Sequence, residues 1–150
     1  AFIDAKQQYL YLLTQYSNEV FVYRIGTHFL FRCQQIVSVL PKGCKEECSS
    51  AAIRISPNGK YLYTSTRGAD IITCFEMING NLRQKEIMRS GGKHPRDFII
   101  DETGRWMIVL NQESDHAVVF QLDPDRGNAI MITDEKEVPE GTCIALGYRI

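Results

Sequence analysis

Ile53-Arg54-Ile55-Ser56-Pro57-Asn58-Gly59-Lys60-Tyr61-Leu62-Tyr63-Thr64-Ser65-Thr66-Arg67-Gly68-Ala69-Asp70-Ile71-Ile72-Thr73-Cys74-Phe75-Glu76 decides the fold. A short apolar run ends at Ser56, a four-residue turn follows, and Tyr61 opens a second apolar run. A polar loop, Arg67 to Asp70, then leads to a third run ending in Phe75. The same scheme lies without a gap over Ala1 to Arg24 and over Phe98 to Gln121. Its landmarks there are Asp4, Tyr9 and Tyr23 in the first copy and Asp101, Trp106 and Phe120 in the third. The copies are offset by 52 and 45 residues, the period of four-stranded propeller blades rather than of two-helix repeats.

The runs are rich in aromatic and β-branched residues, have strand length and are bounded by turn residues. Ser56-Pro57-Asn58-Gly59 predicts a type I turn, with Pro where its fixed φ suits the second position. Asp101-Glu102-Thr103-Gly104 repeats the scheme without the proline. Asn79-Gly80 and the segment Asp123 to Gly127 mark turns into a fourth strand. The expectation is an all-β chain of propeller blades, each of four antiparallel strands, at approximately 1–40, 50–90 and 95–135. A closing innermost strand of a fourth blade is expected at approximately 141–147, around Thr142 to Leu146. Propellers close with more blades than this, so the chain reads as the C-terminal portion of a longer protein. Its open edges predict association with itself or with missing N-terminal blades.

The 150 residues carry 17 Lys and Arg against 18 Asp and Glu, for a net charge of -1. Interspersed charge of this kind offers no footprint for nucleic acid or an anionic membrane. No apolar run has the length of a membrane span. The five cysteines, Cys33, Cys44, Cys48, Cys74 and Cys143, are odd in number and lack metal-knuckle spacing, so neither a disulfide framework nor a metal is expected. Cys44 and Cys48 are the one close pair, weighed as a metal site against two reduced cytosolic thiols in a loop.

Strand parity places the loop between strands two and three on the same rim as the linker from strand four to the next blade. Arg67, Gln112 and the linker Gly91 to Arg96 therefore share a face, beside the central channel. Asp4, Asp70, Asp101 and Asp115 recur at fixed repeat positions and read first as turn residues, with calcium ligation second. Tyr9, Tyr61 and Trp106 read as packing between blades. No nucleophile elbow, P-loop or dinucleotide fingerprint is present.

Pro95-Arg96-Asp97-Phe98 through Asp101, Gly104-Arg105-Trp106, Asn111-Gln112-Glu113-Ser114-Asp115 and Val118-Val119-Phe120 resemble the seven-bladed lactonase family, which includes propeller-type 6-phosphogluconolactonases and carboxymuconate cyclases. Ile55 to Tyr63 with Ser65 to Gly68 resembles its preceding blade, although Thr66 stands where an Asn is common. The resemblance implies a cytoplasmic, cofactor-free enzyme acting on a small-molecule lactone or an anionic sugar. It also implies that the family's acid-base His and Glu lie on earlier blades. Arg67 occupies the position of the family's arginine after strand two, and Arg96 that of its Pro-Arg linker. Guanidinium forks suit both an anionic substrate and the oxyanion of lactone opening.

The catalytic candidates are Arg67 and His94, the latter as general base. The substrate-binding candidates are Arg67, Arg96, Asn111 and Gln112. Each has a structural alternative: a blade-to-blade salt bridge or solvated charge for the arginines, an exposed loop residue for His94, and amides satisfying neighbouring backbone for Asn111 and Gln112. A non-catalytic propeller scaffold and a carboxymuconate-cyclase-like isomerase are the competing functions.

Overall fold

The computed structural model describes residues 2–3 and 8–147, except that nothing is said of the side chains of Phe2, Phe29 and residues 133–135. Asp4 lies outside the described residues. Among the described residues twelve strands form three four-stranded antiparallel sheets, each in simple sequential order. The first sheet holds β1 (Phe2–Ile3), β2 (Tyr9–Leu13), β3 (Glu19–Ile25) and β4 (Phe31–Ser38). The second holds β5 (Ser49–Ile55), β6 (Tyr61–Arg67), β7 (Ile71–Ile78) and β8 (Asn81–Arg89). The third holds β9 (Pro95–Ile100), β10 (Trp106–Asn111), β11 (His116–Leu122) and β12 (Ala129–Glu137). Both expected turns form: Gly59 N donates to Ser56 O at 2.8 Å and Gly104 N to Asp101 O at 2.9 Å. The fold class is that of propeller blades, and no helix among the described residues is long and apolar enough to cross a membrane.

Blades stack face to face, so the middle one is covered on both sides. All seven residues of β6 are buried, and the two-residue period of a strand sends alternate side chains to opposite neighbours. Leu62 joins Tyr11, Val20, Val22 and Phe75 in the core between the first and second blades. Tyr61 and Tyr63 join Phe98, Met107, Val118 and Phe120 between the second and third.

A repeated bond ties each interface. Tyr11 Oη donates to Gly80 O at 2.9 Å, and its repeat equivalent Tyr63 donates to Gly127 O at 3.0 Å. Both acceptors sit at positive φ, and a Cβ on either would overlap the ring of Tyr9 or Tyr61, so glycine lets the neighbouring blade's aromatic close over the turn. The third copy has Ile108 at this position and carries no such bond. Tyr9 and Tyr61 thus pack between blades as expected. Trp106 does not: it is 41% exposed, because among the described residues no fourth sheet covers its blade.

The expected innermost strand at Thr142 to Leu146 is also not formed. Residues 141–147 have no ladder, since a strand exists only through pairing and, among the described residues, no second strand runs beside them. The segment is instead held to the third blade, with Ile144 N donating to Asp97 Oδ2 at 3.1 Å and Glu140 N to Asp115 Oδ1 at 2.8 Å.

Candidate functional site

The loops between the second and third strands end in a left-handed residue in every blade: Asn18, Asp70 and Asp115, with φ of 54°, 52° and 54°. Asn and Asp tolerate this region because the short side chain bonds local backbone. Here each bonds the segment that follows its own blade. Asn18 Nδ2 donates to Cys48 O at 3.1 Å, and Asp70 Oδ1 accepts from His94 N at 2.9 Å. Asp115 Oδ1 accepts from Glu140 N. These residues are therefore clamps that fix one rim. Among the described residues no cluster of three or more His, Cys, Asp or Glu is arranged to hold a metal.

The clamps bring Arg67 and His94 together. Arg67, at the end of β6, is 9% exposed. Its Nε donates to Ser49 O at 3.2 Å, and its Nη1 lies 3.3 Å from His94 Nε2. His94 Nδ1 is 2.9 Å from Glu113 Oε1. A neutral His94 that donates from Nδ1 to the Glu113 carboxylate leaves its Nε2 lone pair facing the guanidinium, which donates to it. Burial lowers the Arg67 pKa, and the nearby positive charge of Arg96 lowers it further.

Arg67 stands on the wall between two clefts. One, of about 480 Å³, is lined by Gln15, Ser50, Arg54, Arg67, Arg96 and Asp97, with Thr142 and Cys143 from the C-terminal segment. The other, of about 600 Å³, is lined by Tyr16, Cys48, Arg67, Asp70, His94 and Glu113. Arg96 is exposed and makes no hydrogen bond or ion pair among the described residues, so its guanidinium is available to an anion in the first cleft. Arg54 donates from Nη2 to Asp97 Oδ1 at 2.8 Å and lies 5.8 Å from the Phe98 ring centroid. The blade-to-blade salt bridge considered for Arg67 and Arg96 is thus made by Arg54.

The amides lie elsewhere. Asn111 is buried beneath Gly92, with Nδ2 donating to Ser90 O at 3.0 Å, and lines neither cleft. Its Oδ1 is buried without a partner. Gln112 begins a short 3-10 turn, Gln112–Ser114. Its N donates to His94 O at 3.0 Å, while its side chain borders a separate recess with Glu113, Asp115 and Glu140. Both residues support the linker that carries His94. Sequence reasoning missed Glu113, whose carboxylate sits in the loop already singled out, and Arg54 with Asp97. No repeat equivalence marked either pair, since each joins residues of different blades or loops.

Fold and rim together define a set of three propeller blades presenting a cleft lined by Arg54, Arg67 and Arg96. The family model described as "Lactonase, 7-bladed beta-propeller" matches residues 1–146, and the chain belongs to that family. It is 30% identical over 148 residues to a 6-phosphogluconolactonase of Bacillus subtilis, covering 97% of this chain and 42% of that protein. A Lactobacillus plantarum protein of known structure superposes with a TM-score of 0.91 at 29% identity, over 94% of this chain and 42% of the other. The periplasmic gluconolactonase of Pseudomonas aeruginosa superposes with a TM-score of 0.88 at 28% identity, over 93% and 39%. The chain therefore spans about two-fifths of the length of the relatives it matches.

Proposed function

We propose that this chain supplies one wall of the active site of a lactonase that hydrolyses an anionic sugar lactone such as 6-phosphogluconolactone. The observation that carries the reading is the pair Arg67 and Arg96 in one cleft, the first buried and fixed, the second exposed and unpaired. Water adding to a lactone carbonyl creates an oxyanion on a substrate that already bears charge. A pre-positioned guanidinium stabilises that oxyanion without reorganising. Arg67 suits this role because Ser49 O and His94 hold it from two sides. Arg96, free to swing, suits the substrate's own anionic group.

In this reading His94 positions Arg67 instead of acting as general base, since the lone pair a base needs is already engaged by the guanidinium. Glu113 fixes the imidazole in turn. In this reading the groups that activate water lie outside these three sheets. The cationic, polar cleft favours this reading over a scaffold, which would present an apolar rim patch.

The test is steady-state hydrolysis by the complete protein. Arg67→Ala should lower kcat/KM for 6-phosphogluconolactone at least tenfold, about 1.4 kcal/mol of transition-state stabilisation. Arg67→Lys should restore only part, because a point charge replaces a fork. His94→Ala and Glu113→Gln should each cost less than Arg67→Ala. Unchanged turnover in Arg67→Ala refutes the assignment.

A further inference from the structure

Outside the arginine cleft, one pair of reactive groups is placed within reach of each other. Cys44 Sγ and Cys48 Sγ are 3.7 Å apart, and both side chains are half-buried. All five cysteines are free thiols. Cys74 is buried with its pKa pushed up to about 12 by desolvation, and Cys33 and Cys143 are exposed on other parts of the chain.

The backbone between the pair belongs to no helix or strand. Residues Lys45, Glu46 and Glu47 are exposed, and Gly43, at φ 77°, has nothing within 4 Å of a Cβ position. Closing to a disulfide length of about 2 Å therefore asks a loop without a ladder to move by roughly the same amount.

The pair also borders the site. Cys48 lines the cleft of Arg67 and His94, and the next residue, Ser49, supplies the carbonyl that holds Arg67 Nε. Gly68, directly after Arg67, has no Cβ because Glu47 O occupies that space at 2.2 Å.

We propose that Cys44 and Cys48 are a reversible redox site, oxidised to an intramolecular disulfide by exchange with a low-molecular-weight disulfide, and that closure shifts the Glu47 to Ser49 segment against Arg67. Cys44 Sγ donates to Glu46 Oε2 at 2.9 Å. That bond, with burial adding to it, pushes the Cys44 thiol up to about 11. Cys44 is thus engaged by Glu46, and Cys48, which opens on the cleft of Arg67 and His94, is the sulfur that attacks first. Its thiolate displaces one RS⁻ from RSSR and forms Cys48–S–S–R. Cys44, giving up its proton, attacks Cys48 Sγ and expels the second RS⁻. Two protein thiols and RSSR become one protein disulfide and two RSH, the thiol protons passing to the departing thiolates. A disulfide across so short and accessible a loop belongs to the labile class that thiols readily reduce. The consequence for Arg67 rests on the function proposed above, whereas disulfide formation does not.

The experiment treats the reduced protein with glutathione disulfide, quenches with acid, alkylates and maps the peptides by mass spectrometry. The expected result is a Cys44–Cys48 link with loss of two hydrogens, reversed by reduced glutathione. Cys44→Ser should trap the Cys48–glutathione adduct, and Cys48→Ser should give no link and little adduct at Cys44. Circular dichroism establishes that each variant is folded. Glutathione adducts without an internal link overturn the proposal, as does stoichiometric zinc that blocks alkylation of the pair. Hydrogen exchange at Ser49 and Arg67, paired across β5 and β6, tests the coupling apart from any activity. A changed protection on oxidation supports it, and identical protection overturns it.

Discussion

Replacing Arg54 by Met tests whether the third blade is fastened to the second by charge. Asp97 is 7% exposed, and its carboxylate has three donors. Oδ1 accepts from Arg54 Nη2 at 2.8 Å and from Phe98 N at 2.9 Å, while Oδ2 accepts from Ile144 N at 3.1 Å. Met keeps an unbranched side chain and removes the guanidinium, and with it the cation over the Phe98 ring and the Nη1 bond to Ile53 O at 2.9 Å. A charge-assisted hydrogen bond of this kind contributes about 1.5–3 kcal/mol. A fully stranded buried charge would cost about 3–5 kcal/mol, but the two backbone N–H groups stay with Asp97, and the Arg54 side chain is 32% exposed. These considerations favour the lower range, about 2 kcal/mol. For a chain of this size that corresponds to a fall in Tm of roughly 4–8 °C. Asp97→Asn should cost a similar amount, and the double variant should cost less than the sum, with a coupling of about 1–2 kcal/mol. Thermal and urea unfolding of the four proteins supply the cycle. Additive single effects, or a loss under about 0.5 kcal/mol for Arg54→Met, would place the pair with weak surface ion pairs and refute the argument.

Two further predictions follow from the same rim and its opposite edge. Gly68→Ala forces a side chain into φ 86° with its Cβ at 2.2 Å from Glu47 O, so denaturant unfolding should show a loss of at least about 2 kcal/mol. A loss below about 0.5 kcal/mol would mean the backbone there relaxes freely. Asp101 heads the turn between β9 and β10. Burial raises its pKa, but Thr103 Oγ1 and the N–H groups of Trp106, Thr103 and Arg105 outweigh that and hold it below the usual carboxylate value. A depressed folded pKa gives stability that is complete above the unfolded value of roughly 3.9 and is lost as pH falls through the lower folded value. Asp101→Asn should therefore flatten the fall of Tm with acid, and a variant that tracks the parent at every pH contradicts it.

The repeat made the architecture legible because each blade is built from local signals. Two-residue periodicity, turns such as Ser56 to Gly59, and Tyr11 and Tyr63 at equal repeat positions are all readable along the chain. The rim that gathers Arg67 and the linker with His94 followed from strand parity alone. Parity could not say which side chains meet, since contacts between blades depend on how far each sheet rotates about its neighbour. Arg54 reaching Asp97, Glu113 fixing His94, and Cys44 lying against Cys48 were decided there. The same cause turned Asn111 inward, because its strand end lies beneath Gly92 and the Ser90 carbonyl needed a donor. It left Trp106 uncovered and Thr142 to Leu146 unpaired as well, for a strand's burial and its ladder are properties of its neighbour and are not written in its own residues.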